Sequence, residues 1–270
     1  MTIVKVTLQQ LFRRKWKLPA AVLLCGVALV AVYHAFDVNE LREAFYEAAR
    51  MEPDSRSPAQ SAALTDWGRL SPFLMILDGL FLVGPLFVGL LMPGGVVANE
   101  RRSGAIMLWA QHPMTLSRFY MQRHLGMQIA TLAALALIGV SAVAALTLPA
   151  GAIPSMDLLA ESCLAGLLAC AISFAISALG IRRAALYGFA YCFFSNMTMS
   201  AQFRDTVLGS SGVMPFLIFP TGVIREFMTG FESGVPWDWG ATGFVLYHFA
   251  LWTAIAWLGL RRLERRPLKL

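Results

Sequence analysis

The chain has 270 residues, of which 57% are hydrophobic and 14% are charged, and its formal net charge is +6 at pH 7. Globular domains are about 45–50% apolar and about 25% charged, so this composition excludes an ordinary cytosolic enzyme, a disordered tail and a fibrous repeat. Several apolar runs are long enough to cross about 30 Å of hydrocarbon. The sequence therefore predicts a polytopic, all-α membrane protein.

Six runs are predicted to be membrane spans, after an amphipathic helix at the interface over residues 1–16. The first run is too long for a signal peptide and lacks a small-residue cleavage site, so we interpret it as a retained anchor. No repeat or linker is evident, so residues 1–270 form one predicted domain. The predicted spans are residues 18–36, 74–98, 125–148, 158–180, 184–200 and 241–259.

The distribution of charge orients these predicted spans. With the N-terminus inside, the inner segments carry 16 of the 22 Lys and Arg residues, and the outer segments carry 12 of the 16 Asp and Glu residues. Lys and Arg concentrate in cytoplasmic loops, so both termini are predicted to be cytoplasmic. The predicted localisation is the bacterial inner membrane, with several passes, and the basic balance is a topology signal that predicts no nucleic-acid partner.

Proline residues mark two further features of the predicted spans. Pro85 and Pro93, the latter followed by Gly94 and Gly95, are predicted to bend the second span, as a hinge near its inner end. Residues 213–224 are apolar but too short to cross, and they contain Pro215 and Pro220. We predict a re-entrant segment there, before the last span, at the outer mouth of an export path.

Motifs for catalysis are missing from the sequence. It has no phosphate-binding loop, no H-E-x-x-H and no G-x-S-x-G, so the chain is not predicted to be an enzyme or to bind a cofactor directly. Two alternatives stay open. One is an intramembrane haem- or metal-handling protein that uses His248 with the Cys and Met residues; the other is a passive channel or secondary carrier.

The most informative segment is the predicted inner loop, residues 99–123. It begins with the charges of Glu100, Arg101 and Arg102, continues past Gly104 into an apolar run at 106–109, and stops at Pro113. Thr115 is then predicted to cap the next helix. An apolar run beside charges on a water-facing loop is typical of a docking site, so this loop is predicted to dock into a groove on another protein.

The same loop resembles the motif that follows the second span in membrane subunits of ABC-2 type ATP-binding-cassette exporters. Ala105 stands where that family usually has Thr, and the match is carried by Glu100, Arg101, Gly104, Ile106, Pro113, Met114 and Thr115. The resemblance implies a permease that forms a dimer, taken as a homodimer, on two copies of a separate ATPase that binds ATP and Mg²⁺. It also implies a coupling helix formed by Glu100, Arg101, Arg102, Gly104, Ile106, Trp109 and Pro113, with Glu100 paired to a basic residue of the ATPase.

Two carboxylates, Asp78 and Glu161, fall within predicted spans about one turn from the outer end. Intramembrane carboxylates are candidates for substrate contact or gating, but at this depth both can also reach the interface, so both interpretations stay open. Together with Pro215 and Pro220 they are the candidate substrate path. Besides the ATPase and a second permease copy, the predicted partners are the lipid bilayer and a periplasmic accessory protein on the acidic outer face.

Overall fold

A computed structural model describes residues 2–17, seven positions between 20 and 31, and residues 38–52, 55–110, 114–150, 156–198 and 239–265. These residues are almost entirely helical, as the sequence predicts. The helices in the described ranges are α1 (Thr2–Lys15), α2 (Val38–Arg50), α3 (Pro58–Leu91), α4 (Val96–Arg102), α5 (Ala105–Ala110), α6 (Leu116–Ala150), α7 (Met156–Ala178), α8 (Ala184–Thr198) and α9 (Trp239–Arg265).

The prediction of six membrane spans is wrong. In the described part of the chain, none of the helices combines the length and the apolar character that a bilayer crossing requires. In helix α8, the predicted fifth span, the described part has 15 residues and extends about 22 Å, compared with the roughly 30 Å of a crossing.

The predicted localisation, a multi-pass protein of the bacterial inner membrane with both termini cytoplasmic, is corrected by the same finding. The predicted N-terminal helix is present as α1. Most of the predicted first span and the whole predicted re-entrant segment, residues 213–224, lie outside the described residues.

The chain divides into two compact units. Unit 1 comprises Met1–Lys17, Pro85–Ala136 and Ser155–Leu270, and unit 2 comprises Leu18–Gly84 and Leu137–Pro154. In unit 2 the ring of Phe45 on α2 lies 5.7 Å from that of Trp67 on α3. Arg56 donates to the Ala48 and Met51 carbonyls, which satisfies acceptors that the end of α2 leaves unpaired.

Helix α7 is the centre of unit 1 and packs against α9, α8 and α4. Leu168, Ile172 and Ile176 recur every four residues, so they share one face of α7. They form a buried cluster with Ala184 and Cys192 of α8. This apolar face of α7 therefore packs against α8.

The end of α3 crosses α7 with the two backbones in contact. A Cβ atom at Gly89 would overlap the carbonyl of Gly166, and a Cβ atom at Gly166 would lie 2.9 Å from the carbonyl oxygen of Pro85. Only glycine allows such an approach. This crossing fixes the last turns of α3, and hence the start of the chain segment that carries the candidate site.

Candidate functional site

Helices α4 and α5 form a short bent segment, residues 96–110, which we call the elbow. Helix α3 continues through Pro85 and ends at Leu91, and α4 begins at Val96. The chain is therefore interrupted at Pro93, Gly94 and Gly95, where a bend was predicted, and not at Pro85. Gly94 and Gly95 have φ angles of 38° and 74°, and Gly104, between α4 and α5, has 74°. Side chains other than glycine rarely adopt this left-handed backbone.

The structure brings together only part of the predicted site. Arg101, Arg102 and Gly104 are exposed at the bend of the elbow, whereas Ile106 is 1% exposed and packs inward. Pro113, Pro215 and Pro220 lie outside the described residues. Trp109 falls in α5, Asp78 in α3 and Glu161 in α7, but their side chains lie outside what the structure describes.

Glu100 is paired within the chain. Its Oε1 lies 2.6 Å from Arg123 Nη1, and its Oε2 accepts a hydrogen bond of 2.7 Å from the Tyr120 hydroxyl. The Glu100 and Arg123 side chains are 21% and 9% exposed. Hydrogen bonds between charged groups are about twice as strong as neutral ones, so Glu100 fastens the elbow to α6.

Sequence reasoning missed Tyr120 and Arg123 as parts of this site. Burial, followed by the charge of Glu100 and its hydrogen bond, raises the pKa of Tyr120 far above its usual value, so the hydroxyl remains a donor. The Arg123 guanidinium lies 5.7 Å from the centre of the Phe119 ring. The spacing of Tyr120 and Arg123, three residues apart on one helix face, is the only local signal that they act together.

The opposite side of the elbow is fastened to α7. The Ser177 hydroxyl accepts hydrogen bonds from the backbone N–H groups of Val97 (3.1 Å) and Ala98 (3.3 Å). Ser173, one turn earlier, donates to the carbonyl of Leu90 at 2.7 Å. The first N–H groups of a helix lack partners within it, so Ser177 supplies the cap that α4 does not find in its own sequence.

Four exposed arginines stand together at this end of unit 1, and we call them the basic tip: Arg101, Arg102, Arg182 and Arg183. Arg101 Nη1 lies 3.3 Å from the position that a Cβ would take on Gly180, and the carbonyl of Arg182 contacts the Gly95 position. Within the described ranges, none of the four is within ion-pair distance of a carboxylate. Among the residues that the structure describes, no carboxylate therefore balances the positive charge of the tip.

A buried histidine lies next to this network on α6. The His124 ring stacks on Phe174 of α7 with centroids 4.4 Å apart, and the neighbouring Gln128 amide donates to the Leu167 carbonyl at 3.2 Å. Burial lowers the pKa of His124 from 6.5 to about 4. The ring is therefore neutral at pH 7 and acts as a packing group.

We expect His124 to make folding sensitive to acid. Because its pKa is lower in the folded state, the unfolded chain binds more protons between pH 6.5 and about 4, and stability falls as the pH drops through this range. The loss is on the order of 3 kcal/mol. Urea unfolding of the full chain at pH 7 and pH 4 measures it, and His124→Phe, which keeps the ring stack, removes this component; parallel pH curves would contradict the assignment.

The described residues do not support the alternatives of metal or haem handling. Cys163, Cys170 and Cys192 are free thiols, and His248 is fully buried in α9. The described residues contain no group of three or more His, Cys, Asp or Glu side chains placed to hold a metal ion.

Comparisons with models of protein families, with curated proteins and with solved structures find no match to this chain. The resemblance to ABC-2 exporter subunits therefore stands on the motif around the elbow alone.

Proposed function

We propose that this chain is the coupling subunit of an ABC-2 type ATP-driven exporter and that a separate ATPase docks on its elbow. The observation that carries the proposal is the exposed Arg101 and Arg102 pair, borne by a short helix whose base is bonded to both α6 and α7. The proposal rests on this end of unit 1 and does not use the predicted membrane spans.

The chemistry of the basic tip suits a protein partner. Leu179 and Ile181, which flank the turn before Arg182, are 52% and 38% exposed. Arginine beside exposed apolar side chains is characteristic of the centre of protein interfaces, where lysine and acidic residues are depleted. We therefore expect the ATPase to present an acidic surface with an apolar depression to this tip.

The base of the elbow provides the route by which movement of a docked ATPase reaches the helices. A displacement of α4 pulls on Arg123 of α6 through Glu100 and on Ser177 of α7 through the capped N–H groups. Packed interiors shift between discrete arrangements rather than deforming continuously. Glu100 thus serves as an internal tie in this proposal, and Arg101 and Arg102 replace it as the groups that face the partner.

Nucleotide chemistry belongs to the partner in this proposal. The sequence has no phosphate-binding loop, so ATP and Mg²⁺ are bound by the ATPase. Two ATPase copies and a second copy of this chain complete the proposed assembly, as the resemblance implies.

Reversing the charge of the tip is expected to abolish docking. With the double variant Arg101→Glu and Arg102→Glu, the amount of captured ATPase should fall at least about tenfold relative to wild type. The reason is that like charges now face each other across the interface. The measurement is affinity capture of the tagged full chain co-expressed with the ABC ATPase of its own genome, scored by bound ATPase and by its ATP hydrolysis.

The matched control changes the same net charge elsewhere. Lys5 on α1 and Arg50 on α2 are exposed, so Lys5→Glu with Arg50→Glu should leave capture within about twofold of wild type. Equal capture by the tip variant and wild type, or equal loss in both double variants, would contradict docking at the elbow.

A further inference from the structure

The last residue of α1 reaches the turn that carries the elbow. Lys15 Nζ donates a hydrogen bond of 2.7 Å to the carbonyl of Met92 and a second one to the carbonyl of Leu91. These carbonyls are at the C-terminal end of α3, where backbone acceptors lack helical partners and where the helix dipole favours a cation. Lys15 thus caps α3 from a separate helix.

The residues of the capped turn, Met92–Gly95, are of the kind that form hinges. Pro93 cannot continue the hydrogen bonding of α3, and Gly94 and Gly95 take left-handed angles. A Cβ atom at Gly94 would lie 2.6 Å from Lys15 Nζ, so the glycine leaves the space that the amine occupies. Hinges are formed by a few such residues that absorb backbone rotation.

Helix α1 is itself anchored to α6, so Lys15 links two structural elements. Leu11 and Thr7 are buried, and a Cβ atom at Gly126 of α6 would lie 3.2 Å from the Cβ of Thr7. The elbow is also bonded to α6 through Glu100. Helix α1 therefore provides a second connection between α6 and the start of the elbow.

The amine is in an unusual environment for a lysine. Burial lowers the pKa of Lys15 from 10.5 to about 8, and the buried Cys170 thiol of α7 acts in the opposite direction. On the elbow side the amine faces the backbone carbonyls of Leu91 and Met92. A proton lost near pH 8 would weaken these hydrogen bonds, since charged donors bind more strongly than neutral ones.

We propose that Lys15 is a positioning residue that latches the Met92–Gly95 hinge and thereby fixes the direction of the elbow. With the latch closed, movement of the elbow is passed to α6; with the latch open, the elbow moves independently. The consequence for coupling rests on the proposed function above, whereas the latch itself is a property of the isolated chain.

Hydrogen–deuterium exchange on the purified full chain tests the latch without any partner. In Lys15→Met, amides of residues 94–102 should exchange at least about tenfold faster than in wild type, while amides of α7 and α9 keep their rates. Lys15→Arg retains a charged donor and should behave as wild type at pH 7. Unchanged exchange at 94–102, or uniformly faster exchange across α7 and α9, overturns the latch.

A pH profile separates the latch from simple packing. After correction for intrinsic exchange, the rate ratio of wild type to Lys15→Arg at residues 94–102 should rise between pH 7 and pH 9, because arginine stays protonated. A constant ratio overturns the role of the charged amine. If Lys15→Met does not fold, the pH profile of wild type against Lys15→Arg tests the latch without it.

ATPase capture distinguishes failure of the latch from failure of the proposed function. Lys15→Met leaves the basic tip unchanged, so it should capture the ATPase normally but stimulate ATP hydrolysis at least about fivefold less than wild type. Full stimulation together with locally faster exchange overturns the role of the latch in coupling. Absence of capture by wild type overturns the proposed function, while locally faster exchange in the same variant still supports the latch.

Discussion

Replacing Glu100 by Ala is expected to lower the free energy of unfolding by about 3 kcal/mol, because removal of one partner leaves a buried charge uncompensated. That charge is Arg123, which is 9% exposed and has Glu100 at 2.6 Å. Tyr120 loses its acceptor in the same variant. Urea unfolding of the full chain at low and high salt measures the effect, and a buried pair should be screened little by salt.

A double-mutant cycle with Arg123→Met identifies the origin of that loss. If the two groups form a pair, Arg123→Met in the Glu100→Ala background should cost much less than in wild type, with a coupling energy of about 1–3 kcal/mol. Arg101→Ala is the control, since Arg101 is an exposed neighbour and surface changes stay within about 0.5 kcal/mol. Additive effects in the cycle would contradict the internal tie.

Replacing Gly89 by Ala is expected to destabilise unit 1 by about 4 kcal/mol, at the upper end for a single substitution. The added Cβ atom overlaps the backbone carbonyl of Gly166, and a backbone atom cannot turn aside as a flexible side chain can. The two helices must separate, which opens space in the core around them. Thermal unfolding followed by circular dichroism measures the change.

A second helical glycine provides the matched control. Gly243 on α9 has nothing within 4 Å of its added Cβ atom, so Gly243→Ala should raise stability by up to about 1 kcal/mol through helix propensity alone. Equal tolerance of both substitutions would contradict the close crossing of α3 and α7.

The local features of the fold were predictable from the sequence. The N-terminal helix, the break at Pro93, Gly94 and Gly95, and the start of a helix after Thr115 all follow from signals within a few residues. The group that caps the start of α6, in contrast, could not be predicted from the sequence. The backbone N–H of Ser117 is bonded to Glu264, 147 residues away, and no local pattern contains that pairing.

The same limit explains what was missed at the elbow. Glu100, Arg101 and Arg102 look alike in the sequence, as charges beside an apolar run. Only the fold separates them, because Arg123 and Ser177 come from 23 and 80 residues away to hold the base. The predicted spans were wrong for a related reason, because an apolar run gives composition and not the three-dimensional setting of the helix that contains it.

Site-specific photo-crosslinking tests the docking of an ATPase on the elbow most directly. A photo-reactive amino acid replaces Arg102 in one variant of the full chain and the exposed Glu43 of α2 in a second, control variant. Cells that express each variant are illuminated, and the cross-linked products are analysed by mass spectrometry. We predict a covalent product with an ABC ATPase from position 102 and none from position 43. No ATPase product from position 102, or equal products from both positions, would contradict the account.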